Sequence, residues 1–139
     1  MQISLVDALL EESTPSEVQR VFAEITQQRA DAVMVSGTGD LLPYRQLIVE
    51  LVEKNRLPAI YGWRNYVEAG GLMSYSSDLP ELGRRMANDV HEILNGTKPG
   101  DIPIYRPTKY ELVINLKTAK TLGLTIPPAL LGTADEVIE

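Results

Sequence analysis

Three short apolar runs, residues 31–36 (Asp-Ala-Val-Met-Val-Ser), 57–61 (Leu-Pro-Ala-Ile-Tyr) and 72–75 (Leu-Met-Ser-Tyr), are too short for helices and too continuous for strands with one face in water. Runs of this kind belong to strands covered on both sides, the environment of a parallel sheet. Between the first two, Leu47, Ile48, Leu51 and Val52 recur at helical spacing, with Gln46, Glu50 and Glu53 on the opposite side. Strand, helix and strand in that order make a right-handed crossover almost obligatory. The expected fold is therefore α/β: a three-layer, open and mostly parallel sheet with helices on both faces, in a single lobe over residues 1–139.

The flanking segments extend this pattern. Residues 3–10 are apolar enough for one more strand. Thr14, Pro15 and Glu17 then read as a cap, a first helical position and the far end of a capping box, ahead of a stripe of Val18, Val21, Phe22 and Ile25. Asp40 is the expected N-cap of the helix that carries Leu47, and residues 66–69 suit a short helical turn. Over residues 79–98 a long helix is expected, with Leu82, Met86, Val90 and Ile93 on one face. Pro99, Pro103 and Pro107 make residues 99–109 an extended connector with few ladder donors. Residues 110–139 close the chain with a strand, a helix capped by Asn115 and ended by Gly123, and a tail that Pro127-Pro128 keeps from continuing that helix.

Composition narrows the function classes. A net charge of -6 with scattered basic residues argues against nucleic-acid or anionic-membrane surfaces, which need clustered Lys and Arg. No Cys and one His leave neither thiol chemistry nor an ordinary zinc site, so no metal and no cofactor is expected. No apolar run reaches the ~20 residues of a membrane span, and the first residues lack the basic start of a signal peptide. On that reading the chain as given is a soluble, cytoplasmic one.

In open parallel sheets ligands sit beyond the carboxyl ends of the strands. Those ends carry Ser36, Thr38 and Asp40, then Tyr61, Trp63 and Arg64, then Tyr75, Ser77 and Asp78, and these nine are the candidate ligand-binding residues. Hydroxyls, helix-start amides and Arg64 suit a carboxylate, Asp40 or Asp78 an ammonium, and Trp63 or Tyr75 an apolar body. Gly37-Thr38-Gly39 lacks the third Gly of a dinucleotide loop and the Gly-Lys-Ser/Thr of a P-loop, and Asp40 would repel phosphate. Ser74, Ser76 and Ser77 sit in no nucleophile elbow, and Glu11-Glu12 and Asp135-Glu136 are adjacent acids whose side chains diverge. No catalytic residue, and hence no enzyme, is expected.

Three separated stretches carry a resemblance. Gly-Gly-Leu-Met-Ser-Tyr at 70–75, Ile-Leu-Asn-Gly-Thr-Lys-Pro-Gly-Asp-Ile-Pro at 93–103, and Leu-Val-Ile-Asn-Leu-Lys-Thr-Ala-Lys-Thr-Leu-Gly-Leu-Thr-Ile-Pro at 112–127 are similar to the ABC transporter substrate-binding protein family typified by tryptophan/tyrosine-binding lipoproteins. Ala-Asp-Glu-Val-Ile at 134–138 continues it, and Ser76 departs from it where the family usually has Gly. The resemblance implies the second lobe and crossover segments of a type I periplasmic binding protein. It further implies a small amino-acid-like or aromatic solute as ligand, an ABC permease as partner, and a periplasmic or lipoprotein-anchored location for whole members.

By the same resemblance the helix over 79–98 crosses to a first lobe that is missing here. Its face of Leu82, Met86, Val90 and Ile93 is then an association surface, and a homodimer is expected. The alternative reading is a dimerisation or regulatory module that has kept the lobe fold without a ligand.

Overall fold

The computed structural model describes residues 3–139. Helix α1 (Pro15–Gln27) leads into β1 (Val33–Val35), α2 (Arg45–Lys54), β2 (Ala59–Tyr61), α3 (Arg64–Glu68) and β3 (Met73–Ser77). Then come α4 (Leu79–Leu94), β4 (Tyr110–Asn115), α5 (Leu116–Leu122), α6 (Pro128–Leu131) and β5 (Glu136–Ile138). The strands form one sheet in the order β1-β2-β3-β4-β5. All neighbours are parallel except β3 and β4. The expected α/β class with a mostly parallel sheet is the one observed.

Pairing across the ladders assigns the faces. Val35, Tyr61, Ser74 and Val113 point one way, where Val18 and Phe22 of α1, Ile48, Val49 and Val52 of α2, and Tyr66 and Val67 of α3 close the core over them. Since β4 runs against β3, a right-handed crossover to β5 carries α5 to the opposite face. Leu112 and Ile114 point to that side and are buried. Beyond β4 this second face is thinly covered, and Met34 on β1 is 74% exposed.

The helix signals divide into those met and those shifted. Thr14 caps α1 through its hydroxyl, which accepts from the Glu17 amide at 3.3 Å. The Glu17 carboxylate reaches back to the Glu11 amide instead of closing a box on Thr14. Asn115 caps α5 by accepting from the Thr118 amide at 3.1 Å, and Gly123 ends it at φ 73°. Asp40, expected as the cap of α2, instead lies in the first turn of a 3-10 segment, Gly39–Tyr44. Pro43 within that segment has no N–H to donate to a carbonyl four residues back, so the α-helical pattern of α2 starts only at Arg45. Val49 joins Ile48 and Val52 in the core, while Leu47 and Leu51 are half-buried, because α2 lies between α1 and α3 and buries a wider stripe than one side requires.

Three further expectations need correction or extension. Residues 3–10 form no strand. They pair with no edge, and Ile3, Leu5, Val6 and Leu9 stand in solvent while Leu10 packs on the core. The tail contains an edge strand the periodicity did not show, β5, which pairs parallel with β4 through residues 136–138. Helix α4 starts where expected but ends at Leu94 and not at residue 98, since Asn95 caps it and Gly96 turns the chain at φ 100°. It buries none of its residues: Met86, Val90, Ile93 and Leu94 are 66%, 54%, 41% and 81% exposed. No described helix is long and apolar enough to cross a membrane.

Candidate functional site

The carboxyl ends of β1 and β2 come together through glycine. A Cβ on Gly62 would sit 2.4 Å from the Gly37 nitrogen and 2.5 Å from its Cα, so the two strand-end loops touch backbone to backbone. The Gly62 amide donates to the Val35 carbonyl at 3.0 Å and carries the ladder one residue past β2. Trp63 therefore leaves the sheet edge at a fixed point. Its indole N–H is buried and has no hydrogen-bond partner among the described residues.

Strand β3 projects beyond β1 and β2 and is paired to its end with β4. Tyr75 and Tyr110 share the thinly covered face and are diagonal neighbours in that ladder, since Tyr75 pairs with Leu112 and Ser77 with Tyr110. Their rings stack with centroids 5.3 Å apart and planes 16° apart. This pair and Trp63 line a depression of about 250 Å³ together with Gly37, Gly62, Ser76, Ser77, Leu79 and Leu82. Its lining combines aromatic rings, glycine backbone, two leucines and the hydroxyls of Ser76 and Ser77. Such a shape accepts a flat apolar body and offers a few polar contacts to orient it.

A second depression, of about 420 Å³, flanks the same strand end and shares Ser76, Ser77 and Leu79 with the first. Arg64, Asn65, Asp78, Arg84 and Glu111 give it a polar lining. Arg64 is braced: its guanidinium meets Glu136 at 2.7 and 2.9 Å and Glu68 at 2.9 Å, tying α3 to β5. Those carboxylates, Glu136 foremost, push its pKa further up. Arg84 and Glu111 form no ion pair or hydrogen bond with other described side chains, so beside the paired Arg64 and Asp78 this depression presents one unpaired charge of each sign.

Asp78 holds three things at once. One carboxylate oxygen accepts from the Glu81 amide at 2.9 Å and caps α4, the other meets the Lys109 ammonium at 2.9 Å, and its own amide donates to the Lys109 carbonyl at 3.4 Å. The Lys109 hydrogen bond, with the Glu81 amide behind it, holds the Asp78 carboxyl below the usual carboxylate range.

Of the nine residues expected to face a ligand, Trp63, Tyr75 and Ser77 line the aromatic depression, and Arg64, Ser77 and Asp78 line the polar one. Ser36, Thr38 and Asp40 are exposed at the end of β1 and line neither. Tyr61 corrects the expectation. The strand's alternation turns it inward, where it is 1% exposed and stacks on Tyr66 with centroids 4.8 Å apart, and burial pushes its phenol pKa up. Tyr110, Asn65, Arg84 and Glu111 were not foreseen. The one available signal for Tyr110 was its place at the start of a strand returning beside β3. Among the described residues no group of three His, Cys, Asp or Glu side chains is placed to hold a metal.

Comparison with known proteins agrees with this architecture. The sequence model of the family described as ABC transporter substrate binding protein matches residues 1–138. A tyrosine-binding protein of Clostridioides difficile is 26% identical over 112 residues, which are 81% of this chain and 32% of the relative. An ABC domain from Streptococcus pneumonia, solved in complex with L-Trp, superposes with a TM-score of 0.82 at 28% identity, over 90% of this chain and 42% of that one. A conserved domain protein from Vibrio cholerae gives 0.81 at 26% identity, over 88% of this chain and 41% of that one. The chain thus spans about a third to two fifths of the length of these relatives.

Proposed function

This chain belongs to the ABC transporter substrate binding protein family, and on that premise we propose that it binds a small amino-acid-like or aromatic solute at the carboxyl ends of its parallel strands and performs no catalysis on it. The single observation carrying this reading is the depression lined by Trp63, Tyr75 and Tyr110 together with the touching glycines that follow β1 and β2. The adjoining polar depression, with Arg84 and Glu111, supplies opposite charges of the kind a zwitterion needs. The tyrosine-binding relative and the L-Trp complex support the ligand class.

At about 250 Å³ the aromatic depression falls short of the ~300–1,000 Å³ of an enclosing ligand site. One wall of a cleft leaves its ligand partly in water, so weak binding is expected of this chain alone. For the whole protein, family membership supports delivery of the solute to an ABC permease from the periplasm or from a lipid anchor. Trp63 is the only tryptophan in the chain and lines the depression, so its emission reports on occupancy directly. Titration with L-tyrosine and L-phenylalanine should shift that emission saturably, with L-lysine as the negative control. Emission unmoved by every aromatic solute refutes the proposal.

A second reading is favoured by α4, sixteen residues long with none buried. Under it the face of Leu82, Met86, Val90 and Ile93 docks on a second copy of the chain as a homodimer, and the strand-end residues bind nothing. Sedimentation of the chain as a monomer at micromolar concentration rules this out.

A further inference from the structure

We propose that the Asp78–Lys109 ion pair is a clasp that positions Tyr110 against Tyr75, and so sets the outer wall of the aromatic depression; its bearing on affinity rests on the site reading above. The β3–β4 ladder ends at Ser77 and Tyr110. The next backbone contact, from the Asp78 amide to the Lys109 carbonyl, is 3.4 Å long, so the ladder is already failing where Tyr110 must be held. Ahead of Tyr110 runs a connector in which Pro99, Pro103 and Pro107 have no N–H to donate, and the backbone bonds its other amides donate among the described residues are local ones, from Asp101 to Lys98 and from Ile102 to Pro99.

Side chains make the attachment instead. The Asp78 carboxylate is fixed by its cap on α4, is only 13% exposed, and turns its second oxygen to Lys109 Nζ at 2.9 Å. One turn further along α4, Glu81 accepts from the Tyr105 hydroxyl at 2.6 Å, and the Arg85 guanidinium lies 5.8 Å from the centroid of the Tyr105 ring. The connector is thus tied to the first two turns of α4 at three points, and the clasp is the one adjacent to Tyr110. Among the described residues Lys109 makes one ion pair, to Asp78, and the Glu81 and Glu111 charges act on its ammonium only at longer range. Lys109 is 60% exposed, so the pair adds little to global stability, and its effect lies in the placement of its neighbours.

Two substitutions isolate it. Asp78→Ser keeps a capping oxygen and removes the ionic link, and Lys109→Met keeps the stem and removes the charge. In the ligand-free protein, the ring-proton chemical shifts of Tyr75 and Tyr110, which sense each other's ring current, should move toward unstacked values in both variants and stay put in Lys109→Arg. By calorimetry with L-tryptophan, each variant should weaken binding about tenfold, and the double variant should be no weaker than either single one. Tyrosine shifts unchanged by Lys109→Met, or losses that multiply in the double variant, overturn the clasp. Failure of the unaltered chain to bind any aromatic amino acid overturns the site reading, while the ring shifts still decide the clasp.

Discussion

Gly71→Ala and Gly83→Ala add the same methyl group in two surroundings and should change stability in opposite directions. A Cβ on Gly71 would lie 2.5 Å from Tyr61 Cε2, 3.1 Å from its Cδ2 and 2.8 Å from the Tyr66 carbonyl oxygen. Neither neighbour can retreat cheaply. The Tyr66 oxygen accepts the Gly71 amide at 2.8 Å, and the two tyrosine rings, 1% and 0% exposed, stack at 4.8 Å in the packed core. Overpacking of this kind costs about 1–3 kcal/mol, which lowers the urea midpoint by roughly 1 M for a chain of this size. At Gly83, inside α4, nothing lies within 4 Å of the added carbon. There the loss of glycine's backbone freedom should stabilise by about 0.5–1 kcal/mol. Urea titration followed by circular dichroism measures both. Since Tyr61 adjoins Gly62 and Trp63, Gly71→Ala should also shift the tryptophan emission, and Gly83→Ala should not. A Gly71→Ala variant within about 0.5 kcal/mol of the parent would refute the picture of a glycine shaped around a buried tyrosine pair.

Other consequences are equally concrete. The Arg20 guanidinium, with the Glu11 amide, holds the Glu17 carboxyl down at about 2 from an ordinary value of 4.5. Its contribution is therefore complete above about pH 4.5 and lost as the pH falls toward 2, so acid should lower the urea midpoint more in the parent than in Glu17→Gln; equal losses contradict the pairing. Asn115→Ala removes the buried cap of α5 and should cost about 0.5–2 kcal/mol in the same titration, with Asn115→Asp recovering most of it. Met86→Glu with Val90→Glu should leave thermal stability nearly unchanged, because both side chains are exposed, and should abolish any self-association seen by sedimentation. Association that persists places the interface elsewhere.

What was legible in the sequence follows from how each signal is carried. Capped, amphipathic helices announce themselves within one turn, and Thr14, Asn115 and Gly123 stand where their types require. The apolar runs mark strands, but an unbroken apolar run has no in-and-out alternation to read, and so Tyr61 reads as a strand-end ligand residue when it faces the core. Pro43 was a visible reason to start α2 later than Asp40. The apolar run at residues 3–10 looked like a strand because propensity is local, whereas a strand exists only where an edge receives it. Tyr110 and Glu111 enter the site through the antiparallel register of β3 and β4, a long-range fact that no local spacing encodes. The short tail strand β5 is three residues held by β4 and by the Glu136–Arg64 pair, again a product of tertiary context.

The central claim is that an aromatic solute rests between Trp63 and the Tyr75–Tyr110 pair. Calorimetric titration of the chain and of its Tyr75→Ala variant with L-tryptophan tests it most directly. Tyr75 is 54% exposed and its loss opens no core cavity, so a change in binding cannot be charged to unfolding. Saturable heat in the parent and at least tenfold weaker binding, about 1.4 kcal/mol, in the variant is the expected result. Equal affinity in the two proteins, or no heat in either, contradicts it.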